Sequence, residues 1–198
     1  MFTGIVEATG LIIDVKEEGS NRIFRITTAL SGELKPDQSV AHDGVCLTVE
    51  QSDSNGYQVT AVAETLSKTT LSAWEKGKWV NLERCLLMPA RLDGHIVLGH
   101  VDAVGTCLSV AENEGSWLFR LEFPASFCPL IVEKGSVSLN GISLTVFDVT
   151  ENEFSVAVIP YTYIHTTMQW LQPGDKVNLE FDILGKYVQR NLAYLKRP

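Results

Sequence analysis

The sequence predicts an all-β protein of two similar domains in tandem, followed by one helix. Three observations carry this prediction. The 198-residue chain contains two near-copies of the same pattern, its apolar segments alternate polar and apolar residues as strands do, and residues 185–197 alone show sustained helical spacing.

Four pairs of segments in the same order establish the duplication. Residues 38–49 (QSVAHDGVCLTV) align without a gap on residues 135–146 (GSVSLNGISLTV), an offset of 97 residues. The other pairs are 63–71 with 160–168, 77–87 with 174–184, and 3–10 with 98–105, the last at an offset of 95. Because solenoid repeats are usually shorter than about 50 residues, this offset indicates a duplicated domain.

Strand and turn signals alternate along each copy. Phe24 and Ile26 alternate with arginines in RIFRITT, and turn-rich clusters such as 52–57 separate the runs at intervals of about 8–12 residues. This pattern is typical of a small closed barrel or a sandwich, and closure protects sheet edges. One short helix per copy is expected, at 64–74 and 161–171.

The C-terminal segment 185–197 has no counterpart after the first copy. Val188, Leu192 and Leu195 fall on one helical face, and the basic pair 196–197 suits the last turn of a helix. A lone amphipathic helix must pack back on the domains or meet copies of itself, and we expect oligomerisation.

Composition excludes several partners. A net charge of −8 argues against nucleic acid and anionic membrane surfaces, which require concentrated basic patches. The sequence shows neither an apolar run of about 18 residues nor a signal pattern, so a cytoplasmic location is expected. The four cysteines, Cys46, Cys85, Cys107 and Cys128, lack metal-ligand spacing, which predicts free thiols and no metal. Nucleotide-cofactor motifs are also absent from the sequence, and no cofactor is expected.

The repeated strand offers a candidate site in each copy. Alternation places Leu47 and Val49 on one face of CLTV and Cys46 and Thr48 on the other, and it divides SLTV in the same way, with Ser143 and Thr145 on the polar face. If the apolar face fills the core, matching polar faces look outward. The alternative is a structural strand whose polar groups satisfy the backbone.

Differences between the copies point to chemistry. Ile5 is replaced by His100, Cys46 by Ser143, Cys85 by Asp182 and Glu64 by Tyr161. Histidine titrates near neutrality, although His95 and His100, each taken alone, are also typical of hydrogen-bonded structural histidines. Asp182 follows an apolar strand, where a carboxylate requires a partner. Lys134 fits a ligand contact or a solvated loop equally well.

Taken together, MFTGIV, SVAHDGVCLTV, GHIVLGHVDAVG, EKGSVSLNGISLTV, IPYTYIHTT and VNLEFDILGKYVQR resemble the riboflavin synthase family of the alpha-chain type, over essentially the whole chain. The resemblance implies two six-stranded Greek-key barrels, at 1–88 and 89–185, and an oligomerisation helix at 186–198 that assembles homotrimers. One departure is Asn140, where some members place Asp.

The resemblance also implies an activity. Members of the family convert two molecules of 6,7-dimethyl-8-ribityllumazine into riboflavin and 5-amino-6-(D-ribitylamino)uracil by moving a four-carbon unit, between the N-barrel of one subunit and the C-barrel of its neighbour. Riboflavin is thus also a ligand, and some members dock with a lumazine synthase shell. A duplicated barrel suits a reaction that consumes two identical molecules.

Carried over by position, the resemblance implies two ligand surfaces. The N-barrel surface comprises Gly4, Ile5, Val6, Ser39, Cys46, Leu47, Thr48, Thr60, Ala61, Val62, Ala63, Glu64 and Thr65. The C-barrel surface comprises Gly99, His100, Val101, Lys134, Ser143, Leu144, Thr145, Ala157, Val158, Ile159, Pro160, Tyr161 and Thr162.

The resemblance suggests roles at these surfaces, which we state as hypotheses. His100 and Thr145 manage proton transfer, while Cys46, Ser143 and Asp182 polarise or activate groups at the paired rings. Two other readings remain. The chain could be a lumazine- or flavin-binding antenna protein without turnover, whose known members tend to lose the residues corresponding to Cys46, His100 and Asp182, or a structural barrel without a small ligand.

Overall fold

The computed structural model describes residues 1–87 and 89–195 and contains two closed six-stranded antiparallel barrels. The N-barrel consists of β1 (Ala8–Glu18), β2 (Asn21–Thr28), β3 (Ser39–His42), β4 (Val45–Asp53), β5 (Gly56–Ala61) and β6 (Trp79–Arg84). The C-barrel consists of β7 (Ala103–Asn113), β8 (Ser116–Glu122), β9 (Ser136–Leu139), β10 (Ile142–Phe147), β11 (Glu153–Val158) and β12 (Lys176–Phe181).

Both barrels have the same Greek-key strand order. Around the N-barrel the order is β1-β2-β5-β4-β3-β6, and around the C-barrel it is β7-β8-β11-β10-β9-β12. The predicted duplicated all-β fold is confirmed, and of the barrel and the sandwich it is the barrel that forms. The proposed division of the chain after residues 88 and 185 stays a prediction.

Alternation along the strands fills each barrel with apolar side chains. In β4, Leu47 and Val49 are buried in the N-barrel core, whereas Cys46 is half-buried and Thr48 is exposed. In β10 the corresponding Val146 is buried and Leu144, half-buried, packs against the C-barrel core. The predicted outward polar faces are therefore present on both barrels.

Three α-helices accompany the strands. The short helices α1 (Ala63–Lys68) and α2 (Pro160–His165) each continue into a 3₁₀ turn, as the repeat predicts, at Thr70–Ala73 and Thr167–Trp170. The C-terminal helix α3 (Ile183–Leu195) leaves its predicted apolar face exposed, at Val188, Leu192 and Leu195. The expected basic end of this helix, 196–197, lies outside the described residues. In the part of the chain described here, none of the helices has the length and apolar character needed to span a bilayer.

A pseudo-twofold axis relates the barrels, and the chain meets itself along it. Phe2 pairs with its own repeat mate Val97, each donating its backbone N–H to the other at 2.7 and 3.0 Å. The β3–β4 and β9–β10 hairpin turns also meet, because a Cβ atom placed on Gly44 would lie 2.8 Å from the backbone nitrogen of Gly141, and the reverse distance is the same. Both glycines have φ near +80°, so glycine is required by conformation and by contact.

Two asparagines lock the barrels together. Asn81 donates from Nδ2 to the backbone oxygen of Asn140 at 2.9 Å, and Asn178 donates from Nδ2 to the backbone oxygen of Asp43 at 3.0 Å. Within the N-barrel, the Asp43 side chain accepts the backbone N–H of Asn81 at 2.8 Å. Within the C-barrel, the Asn140 side chain accepts the backbone N–H of Asn178 at the same distance. One of these two acceptors is a carboxylate and the other an amide, so the repeat itself shows that an amide fits the site.

The carboxyl group of Asp43 makes stability depend on pH. Burial raises its pKa from 3.8 to about 7, against the opposing effects of the Asn81 N–H and the charge of Lys78. The folded state therefore holds the proton more tightly than the unfolded state does. Stability arising from this group is present below about pH 4 and is lost as pH rises toward 7.

We predict that Asp43→Asn removes this loss. The variant should exceed wild type in free energy of unfolding by a margin that grows from about pH 4 to pH 7, reaching on the order of a few kcal/mol. Urea unfolding at pH 5 and pH 8 measures the margin. Burial also lowers the pKa of His42 to about 4, and comparison at equal pH cancels this contribution, which the variant and wild type share. The reciprocal variant Asn140→Asp should have a lower free energy of unfolding than wild type at pH 8. Margins that do not change with pH would contradict the prediction.

Candidate functional site

The N-barrel polar face lies on β3, β4 and β5. Ser39 pairs with Thr48 across β3 and β4, and Thr60 occupies an outward position on β5. Burial raises the pKa of the half-buried Cys46 thiol, against a hydrogen bond to Ser39. Cys46 is therefore a protonated thiol at neutral pH and suits a hydrogen-bond donor better than a thiolate nucleophile.

The C-barrel polar face carries a histidine that sequence reasoning did not place there. Nδ1 of His95 lies 2.7 Å from Oγ of Ser143. His95 is buried, and its Nε2 has no hydrogen-bond partner among the described residues. Thr145, two residues further along β10, is exposed. Because 48 positions separate His95 from Ser143, local sequence patterns gave no signal for this pair.

Two segments cross between the barrels, residues 2–6 and 97–101, and we call them the crossing segments. The first lies against the C-barrel: the backbone oxygen of Gly4 accepts the N–H of Ser143 at 2.8 Å, and Val6 packs against the C-barrel core. A Cβ atom on Gly4 would lie 2.6 Å from Cβ of Ser143. Only glycine allows this approach.

The second crossing segment makes the mirror contact. The backbone oxygen of Gly99 accepts the N–H of Cys46 at 2.9 Å, and Val101 packs against the N-barrel core. The predicted grouping of the two surfaces is thus corrected for four residues, because Gly4 and Val6 were expected beside Cys46, and Gly99 and Val101 beside Ser143. The physical reason is the exchange of segments about the pseudo-twofold axis, since each segment reaches the opposite barrel before its own strand begins.

Two buried glutamates hold the crossing segments in place. Glu83 accepts hydrogen bonds from the backbone N–H groups of Thr3 and Gly4 at 2.6 and 2.9 Å, and from the Thr3 hydroxyl at 2.7 Å. Glu180 accepts three backbone N–H groups, from residues 98, 99 and 100, at 2.7–2.9 Å. Burial raises the pKa of both carboxyl groups, and these donors oppose the shift. The only sequence signal for the pair is the repeated V-N-L-E.

Asp182 begins helix α3. Its Oδ1 accepts the backbone N–H of Leu184 at 2.9 Å, which is the geometry of an N-cap. Its charge also reaches His95, because burial lowers the pKa of His95 and Asp182 opposes that shift. The sequence indicated that this carboxylate needs a partner, and in the structure that partner is the N-terminus of helix α3.

The remaining predicted ligand residues divide by burial. Leu47, Ala61 and Val158 turn into the barrel cores, so they present only backbone groups to a ligand. Ala63, Glu64, Ala157 and Pro160 are exposed, and Thr65 and Thr162 are half-buried. The exposed apolar and aromatic side chains among them are Val62, Ile159 and Tyr161. Lys134 is exposed, and its Nζ lies 5.2 Å from the centroid of the Phe147 ring.

Two clefts lie beside the polar faces, and the first reaches the N-barrel face at Ser39. One, of about 490 Å³, contains Ile5 and Ser39 of the predicted residues together with Cys85. The other, of about 460 Å³, lies between the barrels near Trp79 and Trp170, whose rings stack 5.7 Å apart. Within residues 1–87 and 89–195, no group of three His, Cys, Asp or Glu side chains could hold a metal ion. The polar faces themselves are open surfaces.

Comparison with known proteins assigns this architecture. A family model described as "Lumazine binding domain" matches residues 3–85 and again residues 98–182. Riboflavin synthase of Photobacterium phosphoreum is 38% identical over 97% of this chain and 89% of its own length. Riboflavin synthase of Brucella abortus is 39% identical over 99% of this chain and 100% of its own, and that of Bacillus subtilis is 36% identical over 97% and 90%.

Solved structures agree in fold. LumP complexed with riboflavin superposes with a TM-score of 0.86 and LumP complexed with 6,7-dimethyl-8-(1'-D-ribityl) lumazine with 0.83, each at 21% identity and covering 91% of this chain and 99% of LumP. Duplicated Greek-key barrels with paired polar faces define the class. The chain belongs to the lumazine binding domain family and is an enzyme of the riboflavin synthase type.

Substitutions at Asp182 separate its structural role from any chemical one. We predict that Asp182→Ala lowers the free energy of unfolding by about 0.5–2 kcal/mol, because it removes the N-cap of α3. Asp182→Asn should change it much less, since asparagine caps helices about as well as aspartate. Urea unfolding of the two variants beside wild type measures the difference. Equal losses in both would show that the cap is not what Asp182 contributes.

Proposed function

We propose that this protein converts two molecules of 6,7-dimethyl-8-ribityllumazine into riboflavin and 5-amino-6-(D-ribitylamino)uracil. The observation that carries the proposal is the pair of near-equivalent polar faces on the two barrels. A reaction between two identical molecules needs two similar binding surfaces. The four-carbon unit lost by one molecule is gained by the other, so one half of the pair is oxidised as the other is reduced, and no added cofactor is needed.

The differences between the faces fit the different fates of the two molecules. One face offers the Cys46 thiol with His100 nearby, and the other offers the Ser143 hydroxyl with His95 against it. We assign proton transfer at the acidic carbon-7 methyl to His100 and Thr145. The remaining candidates, Cys46, Ser143 and Asp182, polarise the paired rings. Backbone amides and threonine hydroxyls suit the neutral polar edge of the lumazine and its ribityl chain.

We place the proposed reaction between two chains. The backbone of His100 follows Gly99, which contacts Cys46 of the N-barrel, whereas Thr145 lies on the C-barrel face beside Ser143. We propose that His100 and Thr145 act on one pair of rings where the N-barrel face of one chain meets the C-barrel face of another, as in the family that the chain resembles. The openness of both faces and the exposed side chains of Val62 and Ile159 favour such closure.

Assembly through α3 supplies a means of closure. Three apolar side chains of this helix, Val188, Leu192 and Leu195, are between 53% and 78% exposed, more than an isolated chain is expected to leave in one stripe. We propose a homotrimer that acts in the cytoplasm and binds its product riboflavin. A lumazine synthase shell remains a further proposed partner.

The decisive experiment supplies the lumazine alone. Purified protein is incubated with 6,7-dimethyl-8-ribityllumazine, and riboflavin absorbance is followed against loss of the substrate. One riboflavin formed for every two lumazines consumed, without added cofactor, supports the proposal. Tight binding with a fluorescence change and no riboflavin would identify a binding protein without turnover and would overturn it.

We predict that Cys46→Ala lowers turnover by roughly 10²–10³-fold while ligand binding is retained, because it removes the hydrogen-bond donor that we assign to polarising the paired rings. Asp182→Asn, which keeps the helix cap, should also lower turnover. Initial rates and riboflavin titrations measure both effects. Cys128→Ala is the matched control, since that thiol lies elsewhere on the C-barrel near Thr150. Rates within a few-fold of wild type would show that Cys46 and Asp182 have only structural roles.

A further inference from the structure

The glutamates of the two V-N-L-E segments lie behind the candidate site. Glu83 and Glu180 are 5% and 2% exposed, so their carboxylates lie beneath the outer faces. A buried carboxylate is costly unless it is fully hydrogen-bonded. Each of these carboxylates takes three donors from a crossing segment, at distances between 2.6 and 2.9 Å.

Each carboxylate reaches the candidate site of the opposite barrel through one glycine. Glu180 belongs to the C-barrel and accepts the N–H of Gly99, whose carbonyl oxygen accepts the N–H of Cys46 in the N-barrel. Glu83 belongs to the N-barrel and accepts the N–H of Gly4, whose carbonyl oxygen accepts the N–H of Ser143 in the C-barrel. The two chains of hydrogen bonds are related by the pseudo-twofold axis.

The chemistry of the contact requires a carboxylate. A carboxylate accepts several hydrogen bonds and carries no donor, whereas a glutamine of the same shape places an NH₂ group toward one of the N–H groups. At Glu180 one oxygen serves Leu98 and the other serves both Gly99 and His100. A glutamine there leaves at least one backbone N–H without an acceptor, and the segment loses its fixed position.

We propose that Glu180 and Glu83 are positioning residues that act crosswise. Glu180 fixes the backbone of His100 and, through Gly99, the position of Cys46 in the other barrel. Glu83 fixes Ser143 through Gly4. The consequence for catalysis rests on the proposed function, but the positional coupling does not.

The two chains of hydrogen bonds differ at the residue that follows each glycine. Glu180 holds the N–H of His100 directly at 2.9 Å. In the first copy the N–H of Ile5 is held at 3.2 Å by the hydroxyl of Thr3, which itself donates to Glu83. The position that carries a histidine is therefore held directly and the position that carries an isoleucine indirectly, and we expect the larger loss of turnover from Glu180.

The test compares Glu180→Gln with Glu83→Gln in the full-length protein. Hydrogen–deuterium exchange, read by mass spectrometry, follows peptides that cover Cys46 on β4 and Ser143 on β10. Glu180→Gln should speed exchange at the first, and Glu83→Gln at the second, each leaving the other peptide near wild type. Where wild type forms riboflavin, Glu180→Gln should lower kcat at least about tenfold with a smaller change in KM, since small misplacement of reacting groups is costly.

Two further variants serve as comparisons. Glu180→Asp, which keeps the charge, should recover part of the activity lost in Glu180→Gln. Glu112→Gln, an exposed carboxylate at the β7–β8 hairpin, should change neither exchange nor turnover. Three outcomes would each overturn the proposal: faster exchange in the barrel that carries the substitution, equal exchange in both peptides, or unchanged kcat in Glu180→Gln. A wild type that forms no riboflavin would defeat the proposed function while leaving the exchange pattern to be judged by itself.

Discussion

The structure depends on a contact between two hairpin turns that leaves no space for a side chain. Asp43 and Gly44 in one turn, and Asn140 and Gly141 in the other, all have positive φ, as a type I′ hairpin requires. Because the glycines are in contact across the pseudo-twofold axis, the barrels approach closely enough for Asn81 and Asn178 to reach across. The same proximity lets the crossing segments pass from one barrel to the other, and the two candidate faces take their final form from that exchange.

Much of the fold could be predicted from the sequence because it depends on local periodicity and on the repeat. The polar face of β4, with Cys46 and Thr48 outward, follows from alternation alone, and the duplication carries the argument to β10. Helix α3 followed from apolar spacing. Its start at Ile183, before the predicted residue 185, reflects the cap by Asp182, a contact that hydrophobic spacing does not report.

The composition of each face could not be predicted, because it depends on contacts between distant residues. The hydrogen bond of His95 to Ser143 joins residues 48 positions apart, and the contact of Gly99 with Cys46 joins residues from different copies. The resemblance, carried over by position, assigned each glycine segment to its own barrel, and the exchange reverses that assignment. Glu180 is part of a repeated sequence motif, but its role could not be predicted, because that role depends on the backbone N–H groups of residues distant in sequence.

The exchange of the crossing segments also constrains how the two copies can diverge. A substitution near Gly4 is inherited with the first copy and alters the surroundings of Ser143 in the second, while one near Gly99 alters those of Cys46 in the first. The face of each half is therefore shaped partly by substitutions carried in the other half. Specialisation of donor and acceptor surfaces must have proceeded as a joint history of both halves, and a tree drawn from one repeat would record adaptations that belong to the other.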